Sequence, residues 1–340
     1  MGNGYRVKID SIYYFLLATI FILIAGLRGN TRDTIIYKFV YENVNEFSLN
    51  FSQFYESTGM EVGYGFLAFI FNNLGVSFTL FLTFISLLSF YFIKKASDVF
   101  DVNSFLVLLC YIPVFFANHQ LMQIRQGLAI VIGYYFIALI LKNKSKILAY
   151  GLFILGLLFH NILFVFIIFI SNWFNRFIAT DKIKLIIKVV VVVVMVFLFC
   201  RLITDFGIIQ ITDRISNYND SEYSETRSFF HPANLRSFLL LLLFVFLKPV
   251  DNKNYVYNFL VVLYAIGLGF RLGFYDFVIL SGRLSTLFTF SEIFLIPMLL
   301  DNKFNKVAII IFVLIYFCIN LYINLVYQVP FILIDYFKPL

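Results

Sequence analysis

Residues 183–200 read IKLIIKVVVVVVMVFLFC. Six consecutive valines, Val189–Val194, carry the β-branched stiffness that favours strands. A strand at membrane depth leaves its backbone groups unpaired, whereas a helix pairs them within the segment. The run therefore reads as a lipid-compatible helix. About 20 mostly apolar residues cross the hydrocarbon core, and the chain repeats such runs. Moving outward, the spans expected are Ser11–Leu27, Ser77–Ile93, Ser104–Asn118, Gly127–Leu141, Ile147–Phe159, Asn161–Phe174, Ile183–Cys200, Leu235–Leu247, Tyr255–Phe270, Leu284–Leu300 and Val307–Tyr327. Ile147–Phe174 also reads as one long helix, so the count is about eleven, between ten and twelve. Val62–Val76 is apolar but interrupted by Gly63, Gly65, Asn72, Asn73 and Gly75, and reads as an interfacial or re-entrant helix.

Composition agrees. Of 340 residues 61% are hydrophobic and only 13% charged, with 46 Phe, and the mean hydropathy is +0.91. A water-soluble domain carries about a quarter charged residues. The apolar runs are too long for barrel strands, so the fold class is all-α, polytopic and membrane-embedded, a single transmembrane domain over residues 1–340. Two longer hydrophilic loops interrupt it, 28–61 and 201–234. Arg6 and Lys8 precede the first run, but no small-residue cleavage site follows, so it reads as a retained helix. Cys110, Cys200 and Cys318 form no metal or disulfide pattern. The net charge of +7 is not gathered into a basic block, which argues against a nucleic-acid partner.

Lysine and arginine separate along the chain. With the N-terminus in the cytoplasm and spans alternating, thirteen of fifteen lysines fall in cytoplasmic loops, Lys38 and Lys338 being the two outside. The arginines do the reverse. Arg28, Arg32, Arg125, Arg201, Arg214, Arg227, Arg236, Arg271 and Arg283 fall at the outer face, and only Arg6 and Arg176 inside. A positive charge alone would not distinguish the two residues. A ligand with planar, multidentate acceptors would, because guanidinium presents a rigid fork of donors. The bland reading is loop ion pairing with Asp33, Asp205, Asp213, Glu222, Glu225 and Asp276.

Several polar clusters interrupt the apolar pattern. Arg28, Arg32, Asp33 and Tyr37 follow the first span, and four-residue spacing would put the two arginines on one helical face. Glu61, Gly63, Tyr64 and Gly65 place a carboxylate before a glycine-loosened turn, there to hold a sugar hydroxyl or an arginine, or simply to favour a helix N-terminus. Arg125-Gln126 opens a span, where a guanidinium costs roughly 2.5–3.5 kcal/mol unless partnered. His160 stands between two apolar half-spans, either as a packing residue or as an acid–base group. Arg271 and Asp276 precede Ser281-Gly-Arg283. No Walker A, Asp-x-Asp, G-x-S-x-G or H-E-x-x-H motif is present, so a reaction on phosphates here would rely on arginines, without metal or cofactor.

Taken in order, Arg28…Arg32-Asp33…Tyr37, Glu61-x-Gly63-Tyr64-x-x-Leu67, Arg125-Gln126-x-x-Ala129, Phe159-His160 and Arg283 resemble the EpsG/Wzy group of bacterial polysaccharide polymerases. The resemblance implies a GT-C-like helical bundle in the bacterial inner membrane. It implies an enzyme facing the periplasm that joins oligosaccharide repeat units carried on undecaprenyl diphosphate, into O-antigen or a related surface polysaccharide. A hydroxyl of the acceptor unit would attack the donor's anomeric carbon, and undecaprenyl diphosphate would leave. A flippase and a chain-length regulator would share the pathway. On this reading Arg125 and Arg283 grip the diphosphate, with Arg214, Arg227 or Arg271. His160 is the expected general base, with Glu61 and Asp33 as rivals. Arg28, Arg32, Tyr37, Tyr64 and Gln126 contact substrate. An O-antigen ligase uses the same donor, and a non-enzymatic flippase is a second alternative.

Overall fold

The computed structural model describes residues 2–170, 182–206, 228–247, 254–303 and 305–340. Every regular element among them is helical. Among the described residues seven helices are long and apolar enough to cross a membrane, beginning with Phe78–Phe100, Ser104–Met122 and Ile124–Leu141. Asp10–Gly26, Lys146–Phe159 and Pro232–Phe246 are shorter apolar helices. The protein is an all-α polytopic membrane protein. The chain divides into two compact units, Met1–Ile170 with Lys306–Leu340, and Ser171–Asn305.

The first unit opens with α1 (Gly2–Gly26). The stretch 28–61, expected as a loop, folds into α2 (Thr34–Glu42) and α3 (Phe51–Thr58) before α4 (Val62–Asn73). Long helices follow, namely α5 (Phe78–Phe100), α6 (Ser104–Tyr111) continued by a π-helix over Ile112–Met122, α7 (Ile124–Leu141) and α8 (Lys146–Phe159). A 3-10 helix spans Asn161–Ile170, so His160 does break the apolar run in two. The remainder of the expected span to Phe174 lies outside the described residues.

Helix α7 is the central element. It is buried on nearly every side, packed between α5 and α8. That accounts for its lack of a polar face, since a helix apolar all round belongs in a core or in lipid. The span expected to end at Asn118 instead continues to Met122, because His119 and Gln120 are buried and the carbonyls of Gln120 and Leu121 are capped. Asn324, at the end of the helix over Lys306–Ile323, donates its amide to the carbonyls of Pro113 and Val114 (3.2 and 3.1 Å) at the other end of the same π-helical stretch.

Chain direction sorts the charges of this unit. The turns 101–103 and 142–145 lie at one end, with Lys142 and Lys144 beside them and Lys146 at the start of α8. Gln123 and the turn at His160 lie at the opposite end, with Arg28 and Arg125. The C-terminal residues meet that second end. Gly29 N–H donates to the Tyr336 carbonyl (2.8 Å) and Asn30 N–H to that of Lys338 (3.0 Å). A Cβ on Gly29 would lie 1.9 Å from the Lys338 oxygen, so the approach requires glycine.

The second unit contains α9 (Lys182–Asp205), α10 (Pro232–Phe246), α11 (Asn254–Gly273), α12 (Val278–Thr289) and α13 (Glu292–Lys303). The valine run is indeed helical, in α9, and most of that helix faces outward. Helix α11 is the buried centre, packed by α9, α10, α12 and α13. The expected span Leu284–Leu300 is two helices, broken at Phe290–Ser291. Arg201, expected in a loop, lies inside the last turns of α9.

Candidate active site

Three separate stretches of the first unit meet at one carboxylate. Glu61 is the residue from which α4 springs, in extended conformation and 6% exposed. Its Oε2 accepts a hydrogen bond from Arg125 Nη1 in the first turn of α7. Its Oε1 accepts from the backbone N–H of Asn161 (3.3 Å), the first residue of the 3-10 helix. The His160 Nδ1 lies 3.7 Å from the same oxygen. Close packing of α4 on α8 makes this possible. A Cβ on Gly63 would sit 2.4 Å from the Leu158 carbonyl, so the glycine serves helix contact inside α4 instead of loosening a turn.

Arg125 also lies over an aromatic face, with its Cζ 5.7 Å from the centre of the Tyr37 ring. Tyr64 packs on Tyr37 (ring centroids 5.5 Å apart), and its hydroxyl donates to the Tyr37 carbonyl (2.8 Å), fixing α2 to α4. Burial raises both phenols above their ordinary range, so they are neutral donors near pH 7. A guanidinium here gains a carboxylate and a π-face together, which offsets the cost of removing it from water.

Arg28 is a second buried guanidinium, 2% exposed. Its Nε donates to Thr34 Oγ1 (3.2 Å) and its Nη1 to the Gln120 carbonyl. Thr31 donates to the Leu121 carbonyl beside it. A cation and a hydroxyl thus cap the C-terminal carbonyls of the π-helix, where the helix dipole is negative. Burial pulls Arg28 down to about 10, which leaves it charged at neutral pH. Two guanidinium nitrogens in this region, Arg125 Nε and Arg28 Nη2, are buried with no hydrogen-bond acceptor. Both arginines lie within electrostatic reach of the Tyr37 and Tyr64 hydroxyls.

The structure thus brings together Arg28, Tyr37, Glu61, Tyr64, Arg125 and His160. Gln126 is buried in α7 next to Arg125. Arg28 and Arg32 do not share a helical face, because both precede α2. Arg28 is buried and Arg32 exposed, while Asp33 begins the helix in a left-handed conformation (φ 66°). Arg271 and Arg283 belong to the second unit, and Arg214 and Arg227 lie outside the described residues. Arg201 follows the bland reading, since it pairs with Asp205 (2.9 Å) and Asp276 (2.8 Å). Among the described residues no three His, Cys, Asp or Glu side chains converge where a metal ion would sit.

Sequence reasoning missed Glu292. It is fully buried at the start of α13 and accepts from Arg236 Nη2 of α10, close to Tyr264 and Arg271. A carboxylate in the middle of an apolar span is itself a signal, because ionisable groups at that depth are expensive.

Against known proteins, a model described as the EpsG family matches residues 11–337. The amylovoran biosynthesis protein AmsC of Erwinia amylovora is 25% identical over 303 residues, covering 84% of this chain and 78% of that protein. No solved structure matches.

Proposed function

The chain belongs to the EpsG family, and from that premise we propose that it polymerises a bacterial surface polysaccharide, joining repeat units carried on undecaprenyl diphosphate. The family and the amylovoran relative support polysaccharide biosynthesis. The observation that carries the finer reading is the pair of acceptor-less guanidinium nitrogens, Arg125 Nε and Arg28 Nη2, beside the Glu61–Arg125 pair. Buried donors of a native protein are almost always satisfied, and a ligand rich in anionic oxygens satisfies these. A diphosphate joined to a sugar does so while offering hydroxyls to Glu61, Tyr37 and Tyr64.

In the reaction an acceptor hydroxyl forms a bond to the donor's anomeric carbon. The bond from that carbon to the diphosphate oxygen breaks, and its electron pair leaves with undecaprenyl diphosphate. The hydroxyl proton goes to a carboxylate, Glu61 or Asp33. Arg125 stabilises the negative charge that grows on the leaving oxygen. Arg32 and Gln126 are further substrate contacts on this reading. The arginine-bearing end of the first unit then faces the periplasm and the lysine-bearing end the cytoplasm, in the inner membrane. The pathway's flippase supplies the repeat units, and a chain-length regulator is the natural partner.

The glycan banding pattern of a strain lacking the gene tests this. A polymerase mutant keeps single repeat units on its final carrier, and the ladder returns with the wild-type gene but not with Arg125→Ala. Loss of even the single unit would mean a ligase or a flippase instead, and a full ladder from Arg125→Ala would remove the role given to that guanidinium.

A further inference from the structure

We infer that His160 is a positioning residue, acting through the Asn161 N–H on Glu61, and not the general base. The inference rests on the polymerase reading for its activity readout. His160 has every feature of a helix N-cap. Its backbone is extended (φ −163°, ψ 126°). Its carbonyl accepts the first bond of the following 3-10 helix, from Leu163 N–H (3.3 Å). Its side chain accepts from the N–H two residues on, Ile162 to Nδ1 (3.2 Å). The same device recurs in the second unit, where His231 caps α10 by accepting the Ala233 N–H on Nδ1 (3.3 Å).

The consequence for chemistry is direct. A neutral imidazole has one lone pair in the ring plane, on the nitrogen without the proton. At His160 that nitrogen is Nδ1, and the Ile162 N–H occupies its lone pair, so the ring proton is on Nε2. Proton uptake at Nδ1 would give up the cap. What the cap secures is the next amide along. With Ile162 held, the Asn161 N–H points at Glu61 Oε1, and the carboxylate presents its other oxygen to Arg125.

Side-chain isosteres separate the two roles. The Oδ1 of asparagine falls where histidine has Nδ1, and the amide of glutamine reaches toward Nε2. The measurement is kcat and KM of purified variants in lipid vesicles carrying the lipid-linked repeat unit, with thermal unfolding of each. His160→Asn is expected to keep kcat within about threefold of wild type, and His160→Ala and His160→Gln to lose at least about tenfold in kcat. His160→Asn keeps the wild-type midpoint and His160→Ala does not. Asn161→Pro is the second probe. It deletes the N–H given to Glu61 at the helix position that best tolerates proline, and is expected to lower kcat while protein level and KM hold. An inactive, well-folded His160→Asn would overturn the inference, as would full activity of Asn161→Pro. Failure of the wild type to polymerise under these conditions would count against the polymerase reading itself, and the unfolding midpoints would still decide the cap.

Discussion

Arg125 and Glu61 form a pair whose members depend on each other for charge balance. Both are largely withdrawn from water, and removing one partner of a buried pair typically costs about 3–5 kcal/mol by leaving the other charge uncompensated. Glu61→Gln alone and Arg125→Gln alone are therefore each expected to lower the unfolding midpoint sharply, and the double variant to recover most of that loss while staying inactive. A thermal double-mutant cycle on the purified protein checks this, and additive losses would mean the two side chains do not interact. Both residues stood out in the sequence as charges beside apolar runs. Their pairing did not, because 64 residues separate them and only the packing of α4, α7 and α8 closes the gap. Arg28 was legible as an outer-face residue, but not as the cap of a helix whose end lies about Gln120. Nothing local to Arg28 announces that carbonyl.

At the scale of elements, the site depends on how closely α4 can approach α8. Gly63 has the Leu158 backbone against its open side, whereas Gly151, on the outer face of α8, has nothing within 4 Å. Gly63→Ala is expected to reduce the amount of folded protein in membranes, and Gly151→Ala to leave it unchanged or raise it, since alanine gains about 1 kcal/mol of helix propensity over glycine. Fluorescence-detected size exclusion of tagged variants measures both, and equal yields would show that this helix contact is not tight. The positions of the long helices were readable from apolar run length. Their ends were less so. Asn118, His119 and Gln120 look like a loop in sequence, yet π-helical geometry, the Asn324 amide and the Arg28 cap carry that span four residues further. The region 28–61 reads as a hydrophilic loop because its helices are short and carry polar faces. Burial of Tyr37, Tyr41 and Phe54 shows what those faces leave for the core.

Across the whole molecule, the division of lysine from arginine was the most informative feature of the sequence. Within the first unit the fold turns it into two chemically different ends, Lys142, Lys144 and Lys146 at one and Arg28, Arg32 and Arg125 at the other. Lys338 joins the arginine end through the C-terminal contact with Gly29 and Asn30. The second unit shows the same order along its helices, with Lys182, Lys184 and Lys188 in the first turns of α9 and Arg201 in its last. A single type of cation would serve lipid anchoring. Guanidinium gathered at one end of the first unit, with buried donors left over, is suited to a multivalent oxyanion. The most direct measurement is a reaction of purified protein in vesicles with a defined lipid-linked repeat unit, following linkages formed and undecaprenyl diphosphate released. One diphosphate released for each new glycosidic bond, with neither product from Arg125→Ala, is the predicted result. Repeat units that stay single with the wild type, or bonds that form as fast without the Arg125 guanidinium, would contradict it.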